Sequence, residues 1–258
     1  DGIVMGGGVG VSAHGNRRLV TERTRLAMPE TGIGFIPDVG ATWLLTRDGG
    51  AGVYMGLSGA QVGAADAIYV GLADLCVDSR DITKLISSLE YCATPQDVDA
   101  ALLDAACAPG RSVLFEHRAL LDEVMTHERV ENIIAALVFA GSAFSDEAVR
   151  ELQRKSPTSL RLTHELLRRA KRSDSLEACL LREFGAACAL LETHDLHEGV
   201  RAAIIDKDKN PNWSPATLAE IDDATIAALL AKAEDAPPSF EPWGRSGAGK
   251  AWMEARQA

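Results

Sequence analysis

The sequence predicts an α/β protein whose first part combines short strands with helices and whose second part is helical. Two observations support this class. Short apolar segments broken by glycine and proline fill the region up to about residue 110, as expected for buried strands and intervening helices. From Ser112 onward, apolar residues recur at helical spacing between polar breaks. We therefore expect an α/β portion over 1–110, a helical region over 111–235 and a flexible tail over 236–258.

The first forty residues should alternate between strands and turns. Residues 2–5 are expected to form a buried strand, and residues 9–13 a turn that leads into a helix. Residues 17–27 alternate apolar and polar side chains in the manner of a strand. Pro29 and Pro37 exclude a continuous helix between them, because proline lacks an amide hydrogen and clashes inside a helix.

Beyond Gly40 the chain is predicted to be mainly helical, apart from a short buried strand at 73–77. Thr94-Pro95 and Ser156-Pro157 are typical helix starts, because the hydroxyl can cap the first turn and proline fits its first position. A capped entry at 173–177 begins a helix that reaches about Thr193. The other predicted helices span residues 41–47, 50–57, 63–70, 81–93, 95–106, 113–126, 130–140, 146–155, 157–172 and 216–234.

Composition excludes several functional classes. The chain has 258 residues, 47% of them hydrophobic and 24% charged, which is typical of a globular protein with a real core. Its net charge of −11 argues against a nucleic acid or an anionic membrane as the main partner. It contains neither an apolar run of about 18 residues nor a signal-peptide pattern at its start. We therefore expect no nucleic-acid partner, no membrane partner and a cytosolic type of compartment.

Metal binding and disulfides are not expected either. The five cysteines lack C-x-x-C spacing, so we expect reduced, mostly buried thiols. His194 and His197 stand at i, i+3 spacing, but they do not form the H-E-x-x-H pattern of a zinc site. The cysteines are Cys76, Cys92, Cys107, Cys179 and Cys188.

The segment over 5–40 contains the residues best suited to chemistry. A glycine run at 6–8 exposes backbone N–H groups that no side chain can cover. Glu30 and Asp38 are isolated acids in otherwise apolar sequence rich in glycine and proline. Amide donors next to a carboxylate can polarise a carbonyl group and move protons beside it. The run lacks both the G-x-G-x-x-G spacing and the Lys-Ser/Thr of nucleotide-binding loops.

Three stretches of this segment resemble the enoyl-CoA hydratase/isomerase (crotonase) superfamily. They are Met5-Gly6-Gly7-Gly8-Val9-Gly10, Ala27-Met28-Pro29-Glu30 and Gly34-Phe35-Ile36-Pro37-Asp38-Val39-Gly40. The resemblance implies a crotonase-like ββα spiral core that binds acyl-CoA thioesters, with residues 1–110 forming its later part. It also implies that the Gly7 amide donates to the thioester oxygen, with Gly8 beside it in the substrate site.

The acids indicate a branch of that superfamily. Hydratases carry a glutamate at the place of Gly10 and a second one at the place of Glu30, and the pair orients one water. Gly10 therefore argues against hydration. The combination of Gly10, Glu30 and Asp38 resembles the 3-hydroxyisobutyryl-CoA hydrolase branch, which acts in valine breakdown.

Further stretches support that branch over residues 1–220. The helical insertion at about 112–155 is similar to it, and so are four short motifs. The motifs are Lys155-Ser156-Pro157-Thr158-Ser159-Leu160, His194-Asp195-Leu196-His197-Glu198-Gly199-Val200-Arg201-Ala202, Ile205-Asp206-Lys207-Asp208 and Pro211-Asn212-Trp213.

The resemblance assigns roles to two acids. Glu30 is the group that acts at the thioester carbonyl, either as a nucleophile that forms a mixed anhydride or as a base that activates water. Asp38 binds the 3-hydroxyl of the substrate or assists proton transfer to the thiol. Both acids and the two glycines, Gly7 and Gly8, bind substrate. No separate cofactor is implied, since coenzyme A is part of the substrate, and an enoyl-CoA hydratase or isomerase is the alternative activity.

Other polar residues are expected to be structural. We expect His14 to be so because no serine or cysteine is placed to form a triad with it. His197–Arg201 should order a helix end or lie against the CoA side. The arginines are expected to form a solvated strand face rather than a phosphate site; they are Arg17, Arg18, Arg23 and Arg25.

The first residue, Asp1, indicates the later part of a longer polypeptide. The resemblance places the second oxyanion donor and most of the adenine pocket upstream, so a catalytically incompetent fragment is a further alternative. The resemblance is compatible with a homo-oligomer but does not define the number of subunits. The compartment would be the cytoplasm in a bacterium and the mitochondrion in a eukaryote.

Overall fold

Short strands occur only before residue 108 in the part of the chain that the computed structural model describes, residues 1–47 and 49–231. β1 pairs in parallel with β3, while β2 pairs in parallel with β4, which pairs antiparallel with β5. The predicted tail over 236–258 lies outside the described residues. The strands are β1 (Ile3–Met5), β2 (Leu19–Val20), β3 (Arg25–Ala27), β4 (Leu75–Val77) and β5 (Ala106–Cys107).

The prediction of one strand over 17–27 is wrong. A turn separates β2 from β3, and the Thr24 amide donates to the Thr21 carbonyl at 3.0 Å across it. The Thr24 hydroxyl in turn accepts from the Thr21 amide at 2.9 Å. These bonds satisfy the turn and place the two halves of the segment in different sheets. β5 was not predicted, because two exposed residues carry no alternating pattern.

Helices cover most of the remaining described chain. They are α1 (Gly7–Ala13), α2 (Ala41–Leu44), α3 (Gly49–Ser58), α4 (Ala64–Tyr69), α5 (Ile82–Leu89), α6 (Pro95–Asp104), α7 (Val113–Glu116), α8 (Arg118–Val124), α9 (Val130–Ala140), α10 (Ala143–Gln153), α11 (Pro157–Ala170), α12 (Leu176–Leu190), α13 (His194–Val200) and α14 (Asp223–Ala231). The helix predicted over 113–126 is interrupted at His117, and α13 was not predicted as a separate helix.

The predicted caps are present. Thr94 accepts from the Asp97 amide at 3.2 Å, and the Asp97 carboxylate accepts from the Thr94 amide at 2.9 Å, which forms a capping box. Ser156 and Ser175 cap α11 and α12 in the same way, each accepting from the amide three residues on. These bonds fix where the long C-terminal helices begin.

The main hydrophobic cluster joins the strand-containing part to the helices that follow it. Its fully buried members include Met55, Leu57, Leu121, Ile133 and Leu137, from α3, α8 and α9. A second cluster places Ile36 against α11, α12 and α14. Through that contact the C-terminal helices lie directly behind the segment that contains Pro37 and Asp38.

The cysteines only partly match expectation. All five are free thiols, but only Cys76 and Cys179 are buried, while Cys107 and Cys188 are exposed. The prediction of mostly buried thiols is therefore wrong. Among the helices that the structure describes, none is both long enough and apolar enough to cross a bilayer.

Candidate active site

Glu30 is a buried acid at the end of β3. It begins a 3₁₀ turn, Glu30–Ile33, and only 7% of the residue is exposed. The pairing of Met5 with Ala27 brings this turn beside the glycine run that follows β1. A Cβ atom built on Gly6 would lie 2.9 Å from Glu30 Oε1, so the carboxylate packs against glycine backbone. No donor in the described part of the chain reaches Oε2.

Burial determines the protonation of this carboxyl group. Loss of solvation raises the pKa of Glu30 to about 7, and the neighbouring charge of Asp38 adds to the rise. A carboxyl group with this pKa exchanges its proton near neutral pH. It can therefore serve as a base or as a nucleophile under physiological conditions.

The backbone amides of Gly7 and Gly8 lie at the first turn of α1. Both residues are exposed, and the first N–H groups of a helix have no acceptor within the helix. Gly6 begins this turn at φ 52°, and its carbonyl accepts from the Val9 amide at 2.9 Å. The helix start therefore presents free N–H donors next to Glu30, as an oxyanion site requires.

Asp38 lies between Pro37 and the start of α2. The residue is half-buried, and burial raises the pKa of its carboxyl group. Its charge adds to the rise in the pKa of Glu30, so the two acids predicted from sequence are near enough to interact. Burial raises the pKa of both carboxyl groups.

Gly10 lies against the loop that follows Asp38. A Cβ atom built on Gly10 would lie 2.5 Å from Val39 Cβ and 2.6 Å from Val39 Cγ2. The space in which a side chain at position 10 would stand is therefore filled by Val39. Position 10 lacks an acid and has no room for one in this loop conformation.

Glu183 in α12 contacts the same loop and was not predicted. Its carboxylate is 1% exposed and accepts from the Gly40 and Thr42 amides, at 2.7 and 2.9 Å. A signal was available in the sequence. Glu183 shares the buried face of α12 with residues at i−4, i+3 and i+7, and an acid at a core-facing position requires a partner. Those residues are Cys179, Ala186 and Leu190.

His14 also contacts this loop. Its Nε2 lies 2.7 Å from the Val39 carbonyl oxygen, and since a carbonyl only accepts, Nε2 must donate. The contact agrees with the structural role expected for His14. It supports the peptide group between Val39 and Gly40, one residue beyond Asp38.

Two of the four motifs predicted from resemblance, those that contain Ser156 and Asp195, meet beside the turn that carries Glu30. The Ser156 amide donates to the Thr31 carbonyl at 3.1 Å, and the Ser156 hydroxyl donates to Asp195 at 2.5 Å. Asp195 is 1% exposed and also accepts from the Ser214 amide at 2.8 Å. These bonds hold the turn that carries Glu30 from its far side.

Close contact between the backbones of the Glu30 turn and α13 explains one glycine on each side, Gly34 and Gly199. A Cβ atom on Gly34 would collide with the Asp195 carbonyl, and one on Gly199 would collide with the Ile33 carbonyl. α13 can therefore approach the Glu30 turn only with glycine on both sides of the contact.

The histidine- and acid-rich stretch after Thr193 orders a helix end. Glu198 accepts from the Arg201 guanidinium and from the Asn212 amide, at 2.8 and 2.7 Å. Arg201 also binds Asp206 and Asp208. Within residues 1–47 and 49–231, no cluster of three or more histidine, cysteine or acidic residues could hold a metal ion.

The N-terminal arginines are mostly paired with acids. Arg17 binds Asp99 and Arg18 binds Asp74, each at 2.5 Å. Arg23 lies 3.5 Å from Asp1, and the Arg25 guanidinium donates to the Thr24 carbonyl at 3.0 Å. Only Arg25 lies in a strand, β3, so these arginines do not form the strand face that was expected.

Free amides at a glycine-rich helix start, next to a buried carboxyl group of raised pKa, form a site that can bind a carbonyl oxygen and exchange a proton beside it. With the α/β fold around them, they define a crotonase-type protein. The chain belongs to the enoyl-CoA hydratase/isomerase family, whose sequence model matches residues 1–230.

Curated relatives place the chain within that family. It is 39% identical over 234 residues to the mitochondrial 3-hydroxyisobutyryl-CoA hydrolase of Mus musculus, covering 88% of this chain and 60% of that protein. It is 37% identical over 228 residues to the human protein of the same name, covering 85% and 59%. The chain thus spans about three fifths of the length of the curated relatives that it matches.

Two solved structures share the fold closely. A carnitinyl-CoA dehydratase from Mycobacterium thermoresistibile is 44% identical with a TM-score of 0.82, covering 92% of this chain and 66% of that one. An enoyl-CoA hydratase from Rhodobacter sphaeroides is 35% identical with a TM-score of 0.81, covering 90% and 66%.

Proposed function

We propose that the protein carrying this chain hydrolyses a short 3-hydroxyacyl-CoA thioester, with 3-hydroxyisobutyryl-CoA as the substrate. The observation that carries the proposal is the buried Glu30, with a pKa of about 7, beside the exposed amides of α1. The curated relatives named 3-hydroxyisobutyryl-CoA hydrolases support the choice of reaction and acyl group.

In this proposal the thioester oxygen accepts a hydrogen bond from the Gly7 amide. That bond stabilises the negative charge that develops on the oxygen, and one such donor contributes about 3–4 kcal/mol in other acyl-transfer enzymes. Gly8 has no side chain and leaves room for the acyl group. The site would thus bind the transition state better than the ground state.

Glu30 supplies the group that reacts at the carbonyl carbon. As a base it takes a proton from water, the water oxygen bonds to the carbonyl carbon, and the C–S bond breaks. As a nucleophile its carboxylate oxygen bonds to the carbonyl carbon, the C–S bond breaks and the CoA thiolate leaves; water then hydrolyses the resulting mixed anhydride and frees Glu30. Both routes release 3-hydroxyisobutyrate and the CoA thiol, and both need an ionised Glu30 at the start.

Asp38 is proposed to act on the hydroxyl side of the substrate. Its half-buried carboxyl group can accept a hydrogen bond from the 3-hydroxyl group when it is ionised, or pass a proton to the departing thiolate when it is protonated. Either role places it near Glu30, consistent with the effect of the Asp38 charge on the pKa of Glu30.

Enoyl-CoA hydration is the second candidate. The two structural neighbours are named a carnitinyl-CoA dehydratase and an enoyl-CoA hydratase, which favours it. Against it stands Gly10, at the place where hydratases carry their other acid, in a space that Val39 fills. A single acid at Glu30 cannot orient water for addition as a pair does, so we prefer hydrolysis.

Release of free thiol from 3-hydroxyisobutyryl-CoA tests the proposal, in the natural polypeptide that carries residues 1–258. We expect turnover by the wild type and a loss of at least about a hundredfold in kcat for Glu30→Gln. Asp38→Asn should lose about tenfold or more. Hydration of crotonyl-CoA, measured in the same preparation, should stay at background.

Two results would contradict the proposal. Absence of thiol release by the wild type, together with crotonyl-CoA hydration, would favour the second candidate. Unchanged release in both variants would refute the site assignment while leaving the reaction in place.

A further inference from the structure

Glu183 is a buried acid in α12. Within the described residues, all hydrogen bonds of its carboxylate go to the segment that follows Asp38. Its Oε2 accepts from the Gly40 amide at 2.7 Å. Its Oε1 accepts from the Thr42 amide at 2.9 Å and from the Thr42 hydroxyl at 2.5 Å. Both oxygens are thus used, and the three donors lie at the start of α2.

The segment that Glu183 binds is strained. Val39 has φ 56° and Gly40 has φ 82°. A β-branched residue in this region is an outlier, and such a conformation is energetically unfavourable. It therefore persists only where surrounding contacts enforce it.

Two side chains hold the one peptide group that joins the two strained residues, Val39 and Gly40. His14 donates to the carbonyl oxygen of this group at 2.7 Å, and Glu183 accepts from its N–H, that of Gly40, at 2.7 Å. The side chains of His14 and Leu176 pack closely against Gly40. A Cβ atom built on this glycine would lie 2.8 Å from His14 Nε2 and from Leu176 Cδ1, so a larger residue does not fit here.

The position of Glu183 is electrostatically unfavourable. A buried carboxylate is costly unless hydrogen-bonded, and burial raises the pKa of the Glu183 carboxyl group, with a further rise from the charge of Asp38. Two acids near each other destabilise the fold relative to a neutral pair. The three bonds offset this cost and fix the backbone that directly follows Asp38.

We propose that Glu183 is a positioning residue for the acids of the site: it fixes the Asp38–Thr42 segment in its strained conformation and thereby keeps Asp38 beside Glu30. The inference rests on the proposed function. It also links the C-terminal helical region to catalysis, since Glu183 belongs to α12.

Substitution of Glu183 by glutamine gives the sharpest test. The amide has nearly the same shape but only one accepting oxygen, so it cannot receive both the Gly40 and Thr42 amides. We expect kcat for thiol release to fall about tenfold or more, while KM stays within about threefold of the wild-type value. The reason is that a misplaced acid stabilises the transition state less well but does not weaken substrate binding.

A milder pair of variants avoids misfolding. Thr42→Val removes one hydroxyl and keeps the shape, whereas Thr42→Ser keeps the hydroxyl. We expect Thr42→Val to lower kcat about threefold or more, and Thr42→Ser to restore it to within about twofold. If Glu183→Gln does not fold, this pair decides the question.

Asp66→Asn is the matched control. Asp66 is 7% exposed and accepts from the Ser112 hydroxyl and the Leu114 amide, at 2.7 and 2.9 Å. It is thus also a buried, hydrogen-bonded carboxylate, but it binds the start of α7. It should lower the melting temperature as Glu183→Gln does, and leave kcat within about twofold of the wild type.

Hydrogen exchange of the Gly40 and Thr42 amides adds a readout that needs no activity. Exchange should become faster in Glu183→Gln and stay unchanged in Asp66→Asn. Faster exchange with kcat within about twofold of the wild type, or an equal loss of kcat in Asp66→Asn, would overturn the positioning role. If the wild type releases no thiol, the proposed function fails, and unchanged exchange in Glu183→Gln would separately overturn this inference.

Discussion

The Val39 side chain fills the space that a side chain at Gly10 would need: a Cβ atom on Gly10 would lie 2.5 Å from Val39 Cβ. Val39 is held in a left-handed conformation, with φ 56°, and its carbonyl accepts from His14 at 2.7 Å. The valine can therefore move away only if this strained loop rearranges. The absence of an acid at position 10 is thus built into the loop that carries Asp38.

The first prediction concerns this contact. Gly10→Ala should lower the free energy of unfolding by about 1–3 kcal/mol, because the added methyl group overpacks against Val39. Chemical denaturation measures the effect. Gly63→Ala is the control, since a Cβ atom at Gly63 would meet nothing within 4 Å, and it should change stability far less. Equal losses in the two variants would show that Val39 does not fill this space.

The second prediction concerns the support behind Glu30. Ser156→Ala removes the bond to the buried Asp195 and leaves that carboxylate short of a donor, so it should cost about 1–3 kcal/mol of stability and lower kcat. Ser159→Ala is the matched control, because Ser159 is equally buried at the start of α11 and its hydroxyl has no partner in the described residues.

Urea denaturation and thiol release measure the two serine variants. Ser159→Ala should be neutral or stabilising. A loss in Ser159→Ala as large as that in Ser156→Ala would mean that shape, and not the bond to Asp195, sustains this contact.

The third prediction concerns stability against pH. The pKa of Glu30 is about 7 in the folded state and 4.5 in the reference state, so the folded protein favours the protonated form. The stability from this group is complete below about pH 4.5 and is lost as pH rises through about 7, by about 3 kcal/mol.

Glu30→Gln removes this ionisation. The stability of the variant relative to the wild type should increase between about pH 5 and pH 8, measured by urea denaturation at each pH. Because all other groups titrate alike in both proteins, their difference isolates Glu30. A difference independent of pH would mean that Glu30 is not protonated preferentially in the fold.

The sequence was informative where a pattern is local. The caps at Thr94, Ser156 and Ser175 were predicted because a serine or threonine directly before a helical segment can be recognised from the sequence alone. At Thr94 and Ser156 a following proline strengthens this signal. The α/β class and the crotonase-type fold were predicted and are confirmed. Glu30 and Asp38 could be selected as candidates because acids are rare in the apolar segment over 5–40.

Contacts between distant segments were not predictable in this way. Glu183 reaches Gly40 across 143 positions of the chain. Strand 17–27 was predicted as one element because alternation continues through the turn, where the Thr24 side chain competes with strand pairing. The contact of Gly10 with Val39 depends on a left-handed valine, which no residue pattern indicates.

The pH dependence of kcat/KM for thiol release from 3-hydroxyisobutyryl-CoA shows whether ionised Glu30 acts on the thioester beside Asp38. We predict a limb that rises with pH with a midpoint near pH 7, set by the pKa of Glu30. In Asp38→Asn the residual activity should show this limb at lower pH, because burial still raises the pKa of Glu30 but the further rise from the Asp38 charge is gone. A profile flat between about pH 5.5 and pH 8.5, or a limb that stays in place in Asp38→Asn, would contradict this prediction.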